Sequence, residues 1–393
     1  MYRFAFSSTR DLSINHLRLA LINYICAKQA NKPFIVRIED GDKAHHVEGK
    51  EQEMLDILAF FGISYSTLYY QSDNFKYHLQ FASTLLDKKK AFICFCENDA
   101  SPYDGRCENL SSEEILNTPK PFVIRMKKED PSSDSFVIMR TDKYPTHIFA
   151  SACDDMLQGV SSIIREETYV ADAPKEAYIR SSLGYDEAIA YTHIPTLLCQ
   201  GDESSVKQLL DQGFMPEAIL NYLIFLSNPA PCEIFTLEDT LKWFSLDSIS
   251  PSSVCFDMEK LRLINRKHIK RLDDMELSKR MGYACENVGK LAKLYSQEES
   301  TTHGIKQKID SVFSKKEACS EFRKESALLQ ELILQAPYFE TFDAFEAYLA
   351  QKSALSGEAL FKPLRFWLTG AEDGLDLELI YPLIKNYLKE IVR

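Results

Sequence analysis

Residues Tyr2 to Tyr24 (YRFAFSSTRDLSINHLRLALINY) constrain the fold more than any other stretch of this chain. Tyr2 to Ala5 are apolar or β-prone and predict a strand. Phe6 to Arg10 carry turn chemistry, and from His16 onward Leu17, Ala20, Leu21, Tyr24 and Ile25 recur at helical spacing. In a strand–loop–helix unit of this kind, backbone N–H groups converge at the loop and helix N-terminus and favour an anion there. Phe34 to Ile38 (FIVRI), apolar but for Arg37, then shows no alternation, the pattern of a strand buried on both faces of a parallel sheet. An α/β fold follows. Val47 to Phe61 and Phe75 to Leu86 read as amphipathic helices, Pro121 to Lys127 and Ser135 to Arg140 as strands, and everything from Pro216 onward as helical.

The 393 residues suffice for two or three domains with real cores. No apolar run approaches the ~20 residues of a membrane span, and the N-terminus lacks a basic region followed by an apolar run. Ten unevenly spaced cysteines do not form a disulfide framework, so a reducing cytoplasm is expected. A formal net charge of −12 excludes a globally basic DNA-binding protein but leaves room for RNA on a local patch. Lys260 to Arg271 (KLRLINRKHIKR) is the most basic segment; its charges suit either a nucleic-acid contact or a solvated helix face. Cys94, Cys96 and Cys107, with Tyr103 between them, offer three thiols and a phenol within fourteen positions. They form a usable ligand set for four-coordinate zinc, or else three buried cysteines.

The order of motifs resembles the class I glutamyl-tRNA synthetases. That family writes RFAPSPTG-x-x-HIG-x-x-R-x-A where this chain keeps Arg3, Phe4, Ala5, Ser7, Thr9, Ile14, Arg18 and Ala20. RIEDTD matches Arg37 to Asp42, TPTYNFA matches Tyr144 to Ala150, and IRGEDH matches Ile164 to Tyr169. Tyr69 to Ser72, His193 to Pro195, Pro216 to Ser227 and Phe361 to Arg365 are further matches. Some members carry a zinc knuckle like Cys94, Cys96, Tyr103 and Cys107, with a longer intervening loop.

The resemblance implies a Rossmann-type parallel-sheet domain in two halves (1–92 and 141–225). A shortened α+β insertion (93–140) would separate them, and an all-helical C-terminal half would divide into stem-contact (226–285) and anticodon-binding-like (286–393) parts. It implies that Arg3, Ser7, Glu39, His147 and Arg165 surround an amino acid, and that Arg262, Arg266, Lys267, Lys270 and Arg271 face tRNA. Arg3 and Arg165 could instead be structural partners of Glu39 or Asp40.

The chain departs from the pattern where ATP chemistry is done. In the first signature Ser13 stands for a histidine and Asn15 for the glycine, with His16 at the fourth place. Arg10 and Glu166 replace glycines, and His147 and Ile148 replace a tyrosine and an asparagine. The second signature's lysine loop is missing: Leu198 runs to Lys207 directly into the next helix. Each preorganised donor lost costs roughly 10²–10³ in rate. The expectation is a catalytically degenerate paralogue, monomeric or bound to a protein partner, that keeps an amino-acid-like pocket for glutamate or an analogue and a tRNA surface. The alternative is a residual glutamate–tRNA ligase that still uses ATP and Mg, with Lys207 supplying the missing cation.

Overall fold

The structure, a computed structural model, describes residues 1–41, 47–96, 103–130, 133–198, 205–316 and 322–393. Within the shortened insertion, residues 97–102 and 131–132 lie outside these residues, and so does most of the stretch between Leu198 and Lys207 (199–204). The chain divides into two compact units, residues 1–207 with 223–256, and residues 208–222 with 257–393.

The first unit begins with β1 (Tyr2–Phe6), α1 (Ile14–Gln29), β2 (Phe34–Ile38), α2 (Lys50–Phe60), β3 (Thr67–Tyr70) and α3 (Phe75–Asp87). It continues through β4 (Ala91–Cys94), α4 (Ser112–Leu116), β5 (Val123–Met126), β6 (Val137–Met139), α5 (His147–Leu157), β7 (Ser162–Glu166), α6 (Asp172–Leu183), β8 (Ala190–Ile194) and β9 (Leu197–Leu198). Helices α7 (Val206–Asp211) and α8 (Pro216–Ser227) lie mostly in the second unit, and α9 (Leu237–Trp243) and strand β10 (Val254–Cys255) belong to the first.

Five strands form a parallel sheet in the order β3-β2-β1-β7-β8. Every residue of β2 is buried, Arg37 included, as its lack of alternation predicts. Helix α1 starts at Ile14, two residues earlier than its apolar repeat predicts, because Ser13 caps it: the Ser13 hydroxyl accepts from His16 N–H. The chain order reverses between β1 and β7. In an open parallel sheet the crevice beyond the strand ends at such a reversal is where ligands bind.

The inserted strands β4, β5 and β6 form their own antiparallel sheet. Met126, Ile138 and Met139 from it share a core with Ala82 and Leu85 of α3, Phe149 and Ala152 of α5, and Ile179 of α6. Among the described residues the C-terminal half departs from an all-helical description at one point, where Val254 and Cys255 pair with Leu197 and Leu198.

The second unit is helical: α10 (Met258–Arg271), α11 (Asp274–Arg280), α12 (Glu286–Tyr295), α13 (Thr302–Phe313), α14 (Arg323–Gln335), α15 (Phe342–Ser353), α16 (Glu358–Thr369), α17 (Leu377–Ile384) and α18 (Leu388–Ile391). Helix α10 buries Leu261, Ile264, Asn265, His268 and Ile269, one stripe at helical spacing. Among the described residues no helix is long and apolar enough to cross a membrane.

Candidate functional site

A cavity of about 270 Å³ opens beyond the C-terminal ends of β1 and β7. Arg3, Ser7, Glu39, His147 and Arg165, expected around an amino acid, all line it, and so does His16. The sheet brings residues 162 positions apart in sequence to one mouth.

The cavity floor is a buried ion network. Asp155 of α5 accepts from Arg3 Nε at 3.0 Å and from Arg37 at 2.7 Å. Burial alone would raise the Asp155 pKa; the two guanidinium groups outweigh it and hold the carboxyl down to about 2. Arg37, fully buried, also donates to Gln158 at 3.1 Å and Ser151 at 3.2 Å, and lies 3.6 Å from Glu39. Beside Asp155, Asp154 accepts from Gln71 at 2.9 Å and Asn74 at 2.9 Å and lies 2.8 Å from His78 Nε2. Arg165 donates to Glu176 at 2.8 Å and to the Tyr169 carbonyl at 3.2 Å, with its guanidinium over the Tyr191 ring.

Arg3 and Arg165 are thus anchored by Asp155 and Glu176. Their anchors are not Glu39 or Asp40, the partners proposed from sequence. Helices α5 and α6 bring the two carboxylates onto the sheet, whereas Asp40 is taken up by the Ser72 N–H and hydroxyl.

His147 is the first residue of α5 and stands half-exposed with Nδ1 3.4 Å from Glu39 Oε2. Walls around His16 desolvate its imidazole and lower its pKa although the ring touches solvent; Glu166 and Glu39 pull the other way. The Ser7 and Thr9 hydroxyls lie 3.2 Å apart.

The other first-signature residues are turned to structural work. Ser13 Oγ caps α1 and lies 3.0 Å from His16 Nδ1. The Asn15 amide donates to the Leu197 carbonyl at 3.1 Å and accepts from the Leu197 N–H at 2.8 Å. Ser13 forms a β-bridge with Ser205, and the Val206 N–H donates to the Leu12 carbonyl at 3.0 Å. Lys207 does not line the cavity: its ammonium lies 2.6 Å from Glu53, which also holds Lys50, and Lys50 reaches Asp11 at 2.6 Å.

The Cys94, Cys96 and Cys107 sulfurs lie within 4.8 Å of one another, with Cys96 and Cys107 3.6 Å apart. The Tyr103 hydroxyl is 3.6 Å from the Cys94 sulfur and 3.9 Å from that of Cys96. A tetrahedral zinc with Zn–S bonds near 2.3 Å places its sulfurs about 3.8 Å apart and a phenolate oxygen about 3.5 Å from each. The Cys96–Cys107 spacing and the two Tyr103–sulfur spacings suit that ion.

On α10, Arg262, Arg266, Lys267, Lys270 and Arg271 fall outside the buried stripe, and Arg262 pairs with Glu259. Arg10, Asp11, Glu166 and Tyr169 line the cavity without having been assigned to a site from sequence. Two carried a signal, since Arg10 and Glu166 are charges where the resembling pattern has glycine.

A family model described as tRNA synthetases class I (E and Q), catalytic domain, matches residues 1–263. The chain is 45% identical to glutamate–tRNA ligase 1 of Campylobacter jejuni (strain 81-176) and 42% identical to glutamate–tRNA ligase 2 of Sulfurimonas denitrificans. Each alignment covers all of both proteins. These alignments run over 432 positions against 393 residues here, so the relatives contain segments that this chain lacks. A crystal structure of a glutamate tRNA ligase from Elizabethkingia meningosepticum superposes with a TM-score of 0.78 at 21% identity, covering 99% of this chain and 97% of that one. A glutamate–tRNA synthetase from Elizabethkingia anophelis gives 0.76 at 22% identity, covering 99% and 98%.

Proposed function

The chain belongs to the class I tRNA synthetases of the E and Q type, and from that premise we propose that it binds glutamate or a close analogue but no longer activates it with ATP. The observation that carries this reading is the Asn15 side chain. It sits where the resembling pattern has a glycine, and both of its polar ends are spent on the Leu197 backbone. A glycine would leave that space for a nucleotide to approach the main chain. The cations that the two resembling signatures supply are missing from their places as well: Ser13 is neutral, and Lys207 is committed to Glu53.

With two donors lost, the barrier to attack on the α-phosphate rises by roughly 5–8 kcal/mol, or 10⁴–10⁶ in rate. Glutamate-dependent pyrophosphate exchange is expected to be undetectable, with and without mixed tRNA. ATP is expected not to bind at millimolar concentration in calorimetry. Micromolar ATP binding or measurable exchange overturns the reading.

Retained ligase activity, with ATP and Mg, is the competing reading. It is favoured by the full-length similarity to proteins named as glutamate–tRNA ligases. The exchange assay separates the two.

The amino-acid side of the site is better kept. Arg3 and Arg165 present guanidinium groups suited to carboxylates. The basic residues of α10 give the acidic chain a local surface for tRNA. Zinc held by Cys94, Cys96, Cys107 and Tyr103 would crosslink the insertion, whose small apolar cluster is Phe92, Cys94 and Cys107 with their neighbours. Purified protein is expected to contain about one zinc per chain. Cys96→Ser is expected to lose it and to make the insertion the first site of proteolysis; a metal-free wild type refutes the zinc site.

A further inference from the structure

We infer that the cavity reads the zwitterionic head of a free amino acid through Arg10 and Glu166, two opposite charges on its lining that no side chain neutralises among the described residues. The inference rests on the amino-acid-binding reading above and specifies how the ligand's head group is held.

The other lining charges are already compensated. Arg3 is matched by Asp155, Arg165 by Glu176, and Asp11 by Lys50. Glu39 meets His147 at 3.4 Å and buried Arg37 at 3.6 Å, which leaves it a weak acceptor for a ligand ammonium.

Arg10 lies in the loop between β1 and α1, exposed, with no carboxylate of the described residues within 4.0 Å. Glu166 ends β7, half-buried. It accepts one long hydrogen bond, 3.4 Å from Thr196 Oγ1, and has no ion pair among the described residues. Its charge is felt by buried Arg18, but that guanidinium donates to Ser227 at 2.7 Å and to the Pro195 carbonyl at 2.6 Å. Arg10 and Glu166 are not within ion-pair distance of each other, so neither cancels the other. A half-buried carboxylate and a cation lining one cavity gain most from a ligand that carries both an ammonium and a carboxylate.

The test is calorimetry of the full chain with each of the twenty free L-amino acids. The amino acid that binds is then repeated as its N-acetyl and α-amide derivatives, on wild type, Glu166→Gln and Arg10→Gln. Expected are a tenfold or greater loss for Glu166→Gln and for N-acetylation of the ligand, with no further loss when the two are combined. Arg10→Gln and the α-amide should behave in the same way. A thermal melt confirms folding, and Glu166→Asp, which keeps the charge, should retain part of the affinity.

Wild-type affinity in Glu166→Gln, or an N-acetyl penalty that persists in it, overturns the inference while leaving a glutamate pocket standing. Glu166-dependent binding of another amino acid, with none of glutamate, upholds the inference and overturns the glutamate assignment. Binding of no amino acid overturns both.

Discussion

Asp155→Ala is expected to destabilise the first unit by about 3–5 kcal/mol, the cost of leaving a buried charge without its partner. Two guanidinium groups depend on this one carboxylate, both largely or wholly removed from water. Without it, Arg37 keeps only Gln158, Ser151 and a distant Glu39, and Arg3 loses its fixed orientation at the cavity floor. Glutamate binding should fall with stability, because Arg3 is then free to leave its place.

The wild-type contribution also has a pH signature. The Asp155 pKa is depressed in the folded state, so its stabilisation is full above the ordinary aspartate value near 4. It fades as pH falls towards about 2. Asp155→Ala should lack that acid-sensitive component. The two tryptophans separate the readouts, since Trp243 lies in the first unit and Trp367 in the second. A urea melt of the Trp367→Phe background, followed by Trp243 fluorescence, measures the first unit. A loss below about 1 kcal/mol would show that the ion network is not a structural keystone.

Gly289→Ala is expected to destabilise the second unit by at least about 2–3 kcal/mol, an overpacking cost. A β-carbon built at Gly289 falls 1.8 Å from the Asp274 carbonyl oxygen and 2.5 Å from its carbon. Both are backbone atoms at the start of α11, so no rotamer change relieves the clash, and α11 and α12 must separate. In an exposed helix the same change would gain about 1 kcal/mol from propensity alone, so a loss here isolates the packing term. Lys293, on the same helix, pairs with the Asp274 side chain at 2.6 Å and would be displaced with it. The Trp243→Phe background, read through Trp367, measures this unit. A neutral or stabilising result would mean that the two helices are not held this close.

Much of the fold is legible in the sequence where its signals are local. The non-alternating run Phe34 to Ile38, apolar but for Arg37, gives β2 to the residue, and the helical stretch expected from Pro216 onward starts there, with α8. The inserted strands are shorter than their apolar runs, 123–126 and 137–139, because pairing with short neighbours ends the ladder first. The cavity is partly legible: six of the eight residues assigned to the amino-acid and first-signature sites line it. Ser13 and Asn15 do not, since a cap and a backbone clasp are fixed by what stands opposite them, here α1 and Leu197, a neighbour 182 residues away. The anchors of Arg3 and Arg165 were missed for the same reason. Charge alone pointed to nearby Glu39 and Asp40, whereas the helices that cover the sheet deliver Asp155 and Glu176.

The Asn15–Leu197 clasp joins the first turn of α1 to β9 through two hydrogen bonds, across 182 positions of sequence. Contacts between residues so far apart close long loops and form late compared with a helix turn. A chain growing from its N-terminus cannot complete this corner until β9 has been made, so α1 stands capped but unclasped while most of the first unit is synthesised.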